Sequence, residues 1–197
     1  MRLRRTGGAN GRAPDLAATA VVLGIAAIMW FGWGQASPPA GWPLPLAVGS
    51  VAGVAATVTA VIASRRYRDG ALSMADPAVR ARYRRVVAAE VAACVLGVAC
   101  LAVAGRPAYQ PAWILLVVGV HFLPLARIFR IPSLFWAGLA ASAAAIAAAV
   151  AGATSGIRPS TVAGAGGGLV CLCCAAWCLR QIVPDGATAK ERGGLNA

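Results

Sequence analysis

From Pro111 to Arg130 the chain reads PAWILLVVGVHFLPLARIFR, an apolar run closed by Arg127 and Arg130. In a chain this apolar, such a run reads as a membrane-spanning helix with its basic end at the boundary. It holds the one histidine of the chain, His121, and three residues later Pro124. Proline has no N–H to donate, so the carbonyl of Val120 loses its helical partner right beside the imidazole. Pro124 is therefore expected to interrupt the helix. Val120, His121 and Pro124 form a candidate intramembrane site, because polar groups in lipid are costly and usually face a bundle interior.

The rest of the chain follows the same pattern. Its 197 residues are 59% hydrophobic and 12% charged, with a mean hydropathy of +0.72, which excludes an ordinary soluble domain. Apolar segments predict an all-α, polytopic transmembrane bundle of six helices at about 16–33, 43–63, 86–104, 111–126, 133–152 and 160–179. Residues 1–15 are basic and polar without an apolar period and read as a disordered arm, 16–182 as the transmembrane domain, and 183–197 as a polar tail. Arg2, Arg4 and Arg5 ahead of an apolar run, with Gly34-Gln35-Ala36 behind it, also have the look of a secretory signal. Leu16 to Trp33 is longer than the roughly 7–15 residues of a signal's apolar core, so it is read as the first span.

The formal net charge of +12 would suggest nucleic acid in a soluble protein. Here the arginines sit between apolar runs, where they orient a membrane protein and imply no nucleic-acid partner. With the N-terminus inside, the inner segments hold four, seven, two and three Lys or Arg, and the outer loops hold only Arg106 and Arg158. Both ends are thus expected in the cytoplasm, and the protein in a bacterial cytoplasmic membrane as a multi-pass bundle. Trp30, Trp33, Trp42, Tyr109 and Trp113 fall at the outer ends, and Trp136 and Trp177 towards the inner ends, as interfacial aromatics do. The longest connection carries Arg65, Arg66, Arg68, Arg80, Arg82, Arg84 and Arg85. Such a cluster attracts anionic lipid at the inner face of the bilayer, at about 1 kcal/mol per basic residue. Within it, Asp76-Pro77 is a helix start: a capping carboxylate, then proline at the first helical position.

Glu90 is the one carboxylate inside an apolar segment, and it lies at about the same depth as His121. Equal depth lets a glutamate and a histidine meet without requiring it; where they meet, they form an arrangement that proton relays use because imidazole titrates near neutrality. The plainer alternative leaves His121 bonded to a neighbouring helix and Glu90 beside the arginines. Cys171, Cys174 and Cys178 share a stripe of the last helix with Gly164 and Gly168, where small residues allow backbones to approach. The sharper alternative is a zinc-like site of Cys94, Cys174 and Cys178 with His121. No phosphate-binding glycine loop and no Ser, His and Asp set is present, so neither an enzyme nor a cofactor is expected.

The segment Gly119-Val120-His121-Phe122-Leu123-Pro124-Leu125-Ala126 resembles the G-x-H-F-x-P-L-A pattern of small uncharacterised bacterial multi-helix integral membrane proteins. The resemblance covers one helix and implies no activity. Three functions fit the residues: a small transporter or permease-like bundle with a proton-sensitive site around His121 and Glu90; a non-catalytic scaffold or partner subunit, homo-oligomeric or bound to a membrane partner through Gly and Ala faces; and a thiol and histidine metal handler. A cavity reaching His121 favours the first, a fully packed bundle the second.

Overall fold

In the computed structural model, residues 12–67 and 70–182 are described. Among these the chain is all-helical: α1 (Ala13–Gly34), α2 (Pro43–Arg65), α3 (Pro77–Val103), α4 (Gln110–Phe129), α5 (Pro132–Thr154) and α6 (Pro159–Ile182). All six are long and apolar enough to cross a membrane, with mean hydropathies of 1.9 to 2.5 over their most apolar windows. Each begins with proline in its first turn, from Pro14 in α1 to Pro159 in α6. There the missing N–H would have had no helical partner, and the ring presets φ. Asp76 caps α3, its carboxylate accepting from the N–H of Ala78 at 2.8 Å.

Two boundaries differ from expectation. Residues 13–15, assigned above to a disordered arm, belong to α1, because Pro14 starts the helix early and the buried Asp15 accepts hydrogen bonds from the N–H and hydroxyl of Ser73. Residues 1–11, Arg68 and the tail 183–197 lie outside the described residues. Pro124 does not interrupt α4, which runs on to Phe129. A turn before it α4 packs closely on α5, where Gly119 lies against Ser142 and the carbonyl of Gly138.

The helices alternate in direction, so the start of α1, the α2–α3 connection, the α4–α5 turn and the end of α6 gather at one end. This end holds Arg12, Arg65, Arg66, Arg80, Arg82, Arg84, Arg85, Arg127, Arg130 and Arg180, whereas Arg106 and Arg158 lie at the other. Tyr67 donates to the carbonyl of Ile182 at 2.9 Å, tying the ends of α2 and α6.

At the centre α1 lies along α6, with α2 against both, α5 on α6, and α4 on α5 and α6. The α6 stripe sets the closest approach. A side chain at Gly164 would run into the backbone of Gly34, and one at Gly167 or Gly168 into the rings of Trp30 or Phe31. Lipid supplies no hydrophobic drive between helices, so such backbone proximity and dispersion contacts hold the pair. α5 uses Ala137, Ala141, Ala145 and Ala148 in the same way, all buried at spacings of three and four. α3 is different: it buries no residue and packs chiefly on α4. Trp113 of α4 lies over Gly97 of α3 and donates to the carbonyl of Ala93 at 3.0 Å, while Gln110 donates to that of Val98 at 3.3 Å. These ties hold the half of α3 remote from the arginines.

Candidate functional site

Glu90 projects from α3 towards α4, and Glu90 Oε2 lies 3.2 Å from His121 Nδ1. This is ion-pair distance, yet the two atoms are not aligned as a hydrogen bond, and Nδ1 is a buried nitrogen with no partner of good geometry. The His121 side chain is 8% exposed and that of Glu90 21%. At this separation the imidazolium–carboxylate and imidazole–carboxylic acid forms of the two groups are one proton shift apart.

Both side chains line a cavity of about 560 Å³ between α1, α3 and α4, with Leu134 of α5 and Cys171 of α6 on its floor. Its walls are apolar, among them Val22, Trp30, Val87, Val118 and Leu125. Trp30 and Trp33 stack on the α1 side with ring centroids 5.5 Å apart. Apolar walls around a few convergent polar groups, within the usual size range of roughly 300–1,000 Å³, are the form that small-molecule sites take. The cavity exists because α3 leans on α4 and leaves a gap in front of α1. Val120, 54% exposed, and Pro124 do not line it, so of the four residues expected at the site the cavity joins His121 and Glu90 alone.

A second cavity, of about 590 Å³, adjoins the first at the arginine-rich end and shares Asp15 and Phe129 with it. Arg12, Arg82, Arg127 and Arg130 line it, with Asp15 and Asp76. Of the basic cluster expected to attract lipid, only Arg82 takes part; Arg65, Arg66, Arg80, Arg84 and Arg85 stand outside it. Sequence reasoning missed Arg12, Asp15, Arg127 and Arg130 as a group. One available signal was Asp15, an acid in the first turn of an apolar helix.

The cysteines do not assemble as the metal reading required. Cys94 is on α3 near Glu90, whereas Cys174 and Cys178 lie on α6, with Cys178 Sγ 3.9 Å from the hydroxyl of Ser133. Among the described residues no three His, Cys, Asp or Glu side chains are grouped to hold a metal ion. Cys171, Cys174 and Cys178 are buried among small residues of the α6 stripe, and a thiol there packs as a small apolar group.

No protein-family model, curated protein or solved structure matches the chain.

Proposed function

We propose that the protein is a permease-like bundle of a bacterial cytoplasmic membrane, with both ends on the cytoplasmic side, that admits an apolar or amphiphilic molecule into the cavity between α1 and α3 and responds to protonation of the Glu90–His121 pair. The observation that carries this reading is the contact of both side chains with an apolar cavity. A scaffold has no need for such a chamber. The pair also bridges the loosely held wall. α3 is tied to α4 at one end by Trp113 and Gln110, at its middle by Glu90 and His121, and near the arginines by Tyr83 against Phe129, with ring centroids 5.9 Å apart. Transferring or removing one proton changes the attraction at the middle tie, and so the ease with which the arginine-rich half of α3 swings from α4. That is the bistable element a gated cavity needs.

The orientation rests on the excess of arginine at one end of the bundle. Reporter fusions after Gln35, Gln110 and Gly156 are expected to read outside, and those after Asp69 and Ile131 inside; a reversal at any of the five removes this topology.

The cavity reading is tested with a short dibromoalkane and the purified protein in phosphatidylcholine nanodiscs, following quenching of tryptophan fluorescence. Wild type should be quenched in a manner that changes across about pH 5 to 8, the range over which histidine side chains ordinarily change charge. Trp30→Phe with Trp33→Phe should remove most of the quenching, and His121→Ala and Glu90→Gln should flatten its pH dependence. Quenching that ignores both tryptophans, or a pH dependence untouched by either substitution, would sink the proposal.

A further inference from the structure

We propose that the two adjoining cavities hold one anionic amphiphile, with a phosphate monoester head among Arg12, Arg82, Arg127 and Arg130 and its alkyl chain in the apolar cavity between α1 and α3. This deepens the reading above, on which it rests for the apolar chamber, by naming the class of molecule that enters it.

Charge is the first support. Four guanidiniums, from the residue that precedes α1, from α3, from α4 and from the α4–α5 turn, line a cavity with two carboxylates. Both carboxylates are already engaged, Asp15 with Ser73 and Asp76 with the N–H of Ala78. Among the described residues no guanidinium lies within ion-pair distance of a carboxylate. The excess positive charge of the lining is two, which matches a phosphate monoester at about −1.5 to −2 near neutral pH. Guanidinium forks also suit phosphate oxygens better than ammonium groups do. The N-terminal end of α1, which has no side-chain cap, borders the same space, and its backbone N–H groups favour an anion.

The backbone is the second support. Among the described residues four have left-handed backbone: Gly41, Gly105 and Gly156 in the turns at the far end, and Arg130 with φ 55°. Glycine takes this conformation without cost and arginine does not. Arg130 ends α4, with the N–H of Ile131 reaching back to the carbonyl of Ala126 at 3.1 Å, a role that glycine fills in most helices. An arginine thus stands where glycine is easier, and this places its side chain at the rim of the cavity. The third support is continuity. The apolar cavity extends along α1 from Asp15 to Trp33, about 27 Å at 1.5 Å per residue, close to the roughly 30 Å thickness of a bilayer core. An alkyl chain that enters past Asp15 from a head among the arginines therefore stays within largely apolar walls.

The test uses the full chain in phosphatidylcholine nanodiscs and dodecyl phosphate brominated on its chain, read by quenching of Trp30 and Trp33, with empty discs subtracted. Wild type should bind it at least tenfold more tightly than the brominated dodecanol of equal length. Arg127→Gln and Arg130→Gly should each weaken the phosphate at least fivefold and leave the alcohol unchanged. Arg130→Gly also relieves the left-handed backbone, so its melting temperature should be equal to or above wild type, which separates loss of binding from loss of fold. If inorganic phosphate displaces the probe at the same concentration as unlabelled dodecyl phosphate, the site takes free anions and the amphiphile proposal fails. Equal binding of alcohol and phosphate, or no effect of either arginine substitution, overturns the proposal while leaving the apolar cavity as a binding chamber. Failure of both probes to quench Trp30 and Trp33 overturns the chamber as well.

Discussion

Gly164→Leu should separate α1 from α6 and be the most damaging single substitution in the bundle. A side chain at this position meets the backbone N–H and Cα of Gly34 and the carbonyl of Trp30, so no rotamer change makes room and one helix has to move. Overpacking typically costs about 1–3 kcal/mol, and a backbone clash at the central helix pair belongs at or above the upper end. Since α2, α4 and α5 also pack on α6, the displacement spreads through the bundle. The expected result is a folded yield in mild detergent far below wild type, or an early thermal transition. Gly32→Ala, on the partner helix α1, is the control. Nothing lies within 4 Å of a Cβ placed there, and alanine is favoured over glycine in a helix by about 1 kcal/mol, so stability should hold or rise. If Gly164→Leu behaves like Gly32→Ala, the close crossing of α1 and α6 is wrong.

The second large effect is expected at the Glu90–His121 pair. His121→Ala strands the Glu90 carboxylate against an apolar wall, where an unpaired charge is costly. Breaking a buried pair by removing one partner commonly costs about 3–5 kcal/mol, and the 21% exposure of the Glu90 side chain reduces this. Glu90→Gln keeps the shape, removes the charge and leaves an amide able to bond the imidazole, so it should cost less. Combined with His121→Ala it should relieve much of the damage, giving a coupling of roughly 0.5–3 kcal/mol, whereas independent residues add within about 0.3–0.5 kcal/mol. Reversible unfolding of both single variants and the double in detergent measures the cycle. Additive values would mean that the two side chains do not interact, and the proton-sensitive reading would lose its acid.

Much of the architecture was readable residue by residue, and the misreadings share one cause. The start of α3 at Pro77 was visible in Asp76-Pro77, because capping is a local event between a carboxylate and an N–H two residues on. The start of α1 was placed at Leu16 because Asp15 looked like part of a polar arm. The residue that buries it, Ser73, is 58 positions away. Pro124 was expected to interrupt α4 because its missing N–H is local knowledge. The tertiary packing of α4, such as Gly119 close on Gly138, is not. Glu90 and His121 could be assigned to one depth by counting residues, but not to facing sides of α3 and α4. The arginine cavity was the least legible feature, since its four guanidiniums come from residues 12 to 130 and the sequence groups Arg82 with neighbours that point elsewhere.

By itself the sequence determined the helical class, the six apolar spans and the gathering of arginine at one end. Apolar length, proline at a first turn and charge at a boundary act within one helix, so each can be read without its neighbours. Only the tertiary structure decided that α6 is central and α3 peripheral, and hence that a cavity lies between α1 and α3 with Glu90 and His121 in its wall. In lipid every helix is apolar all round, so hydrophobic patterning does not mark which face meets which partner. That choice falls to the few places, such as Gly34 against Gly164 and Trp113 over Gly97, where a missing side chain on one helix admits the backbone or ring of another.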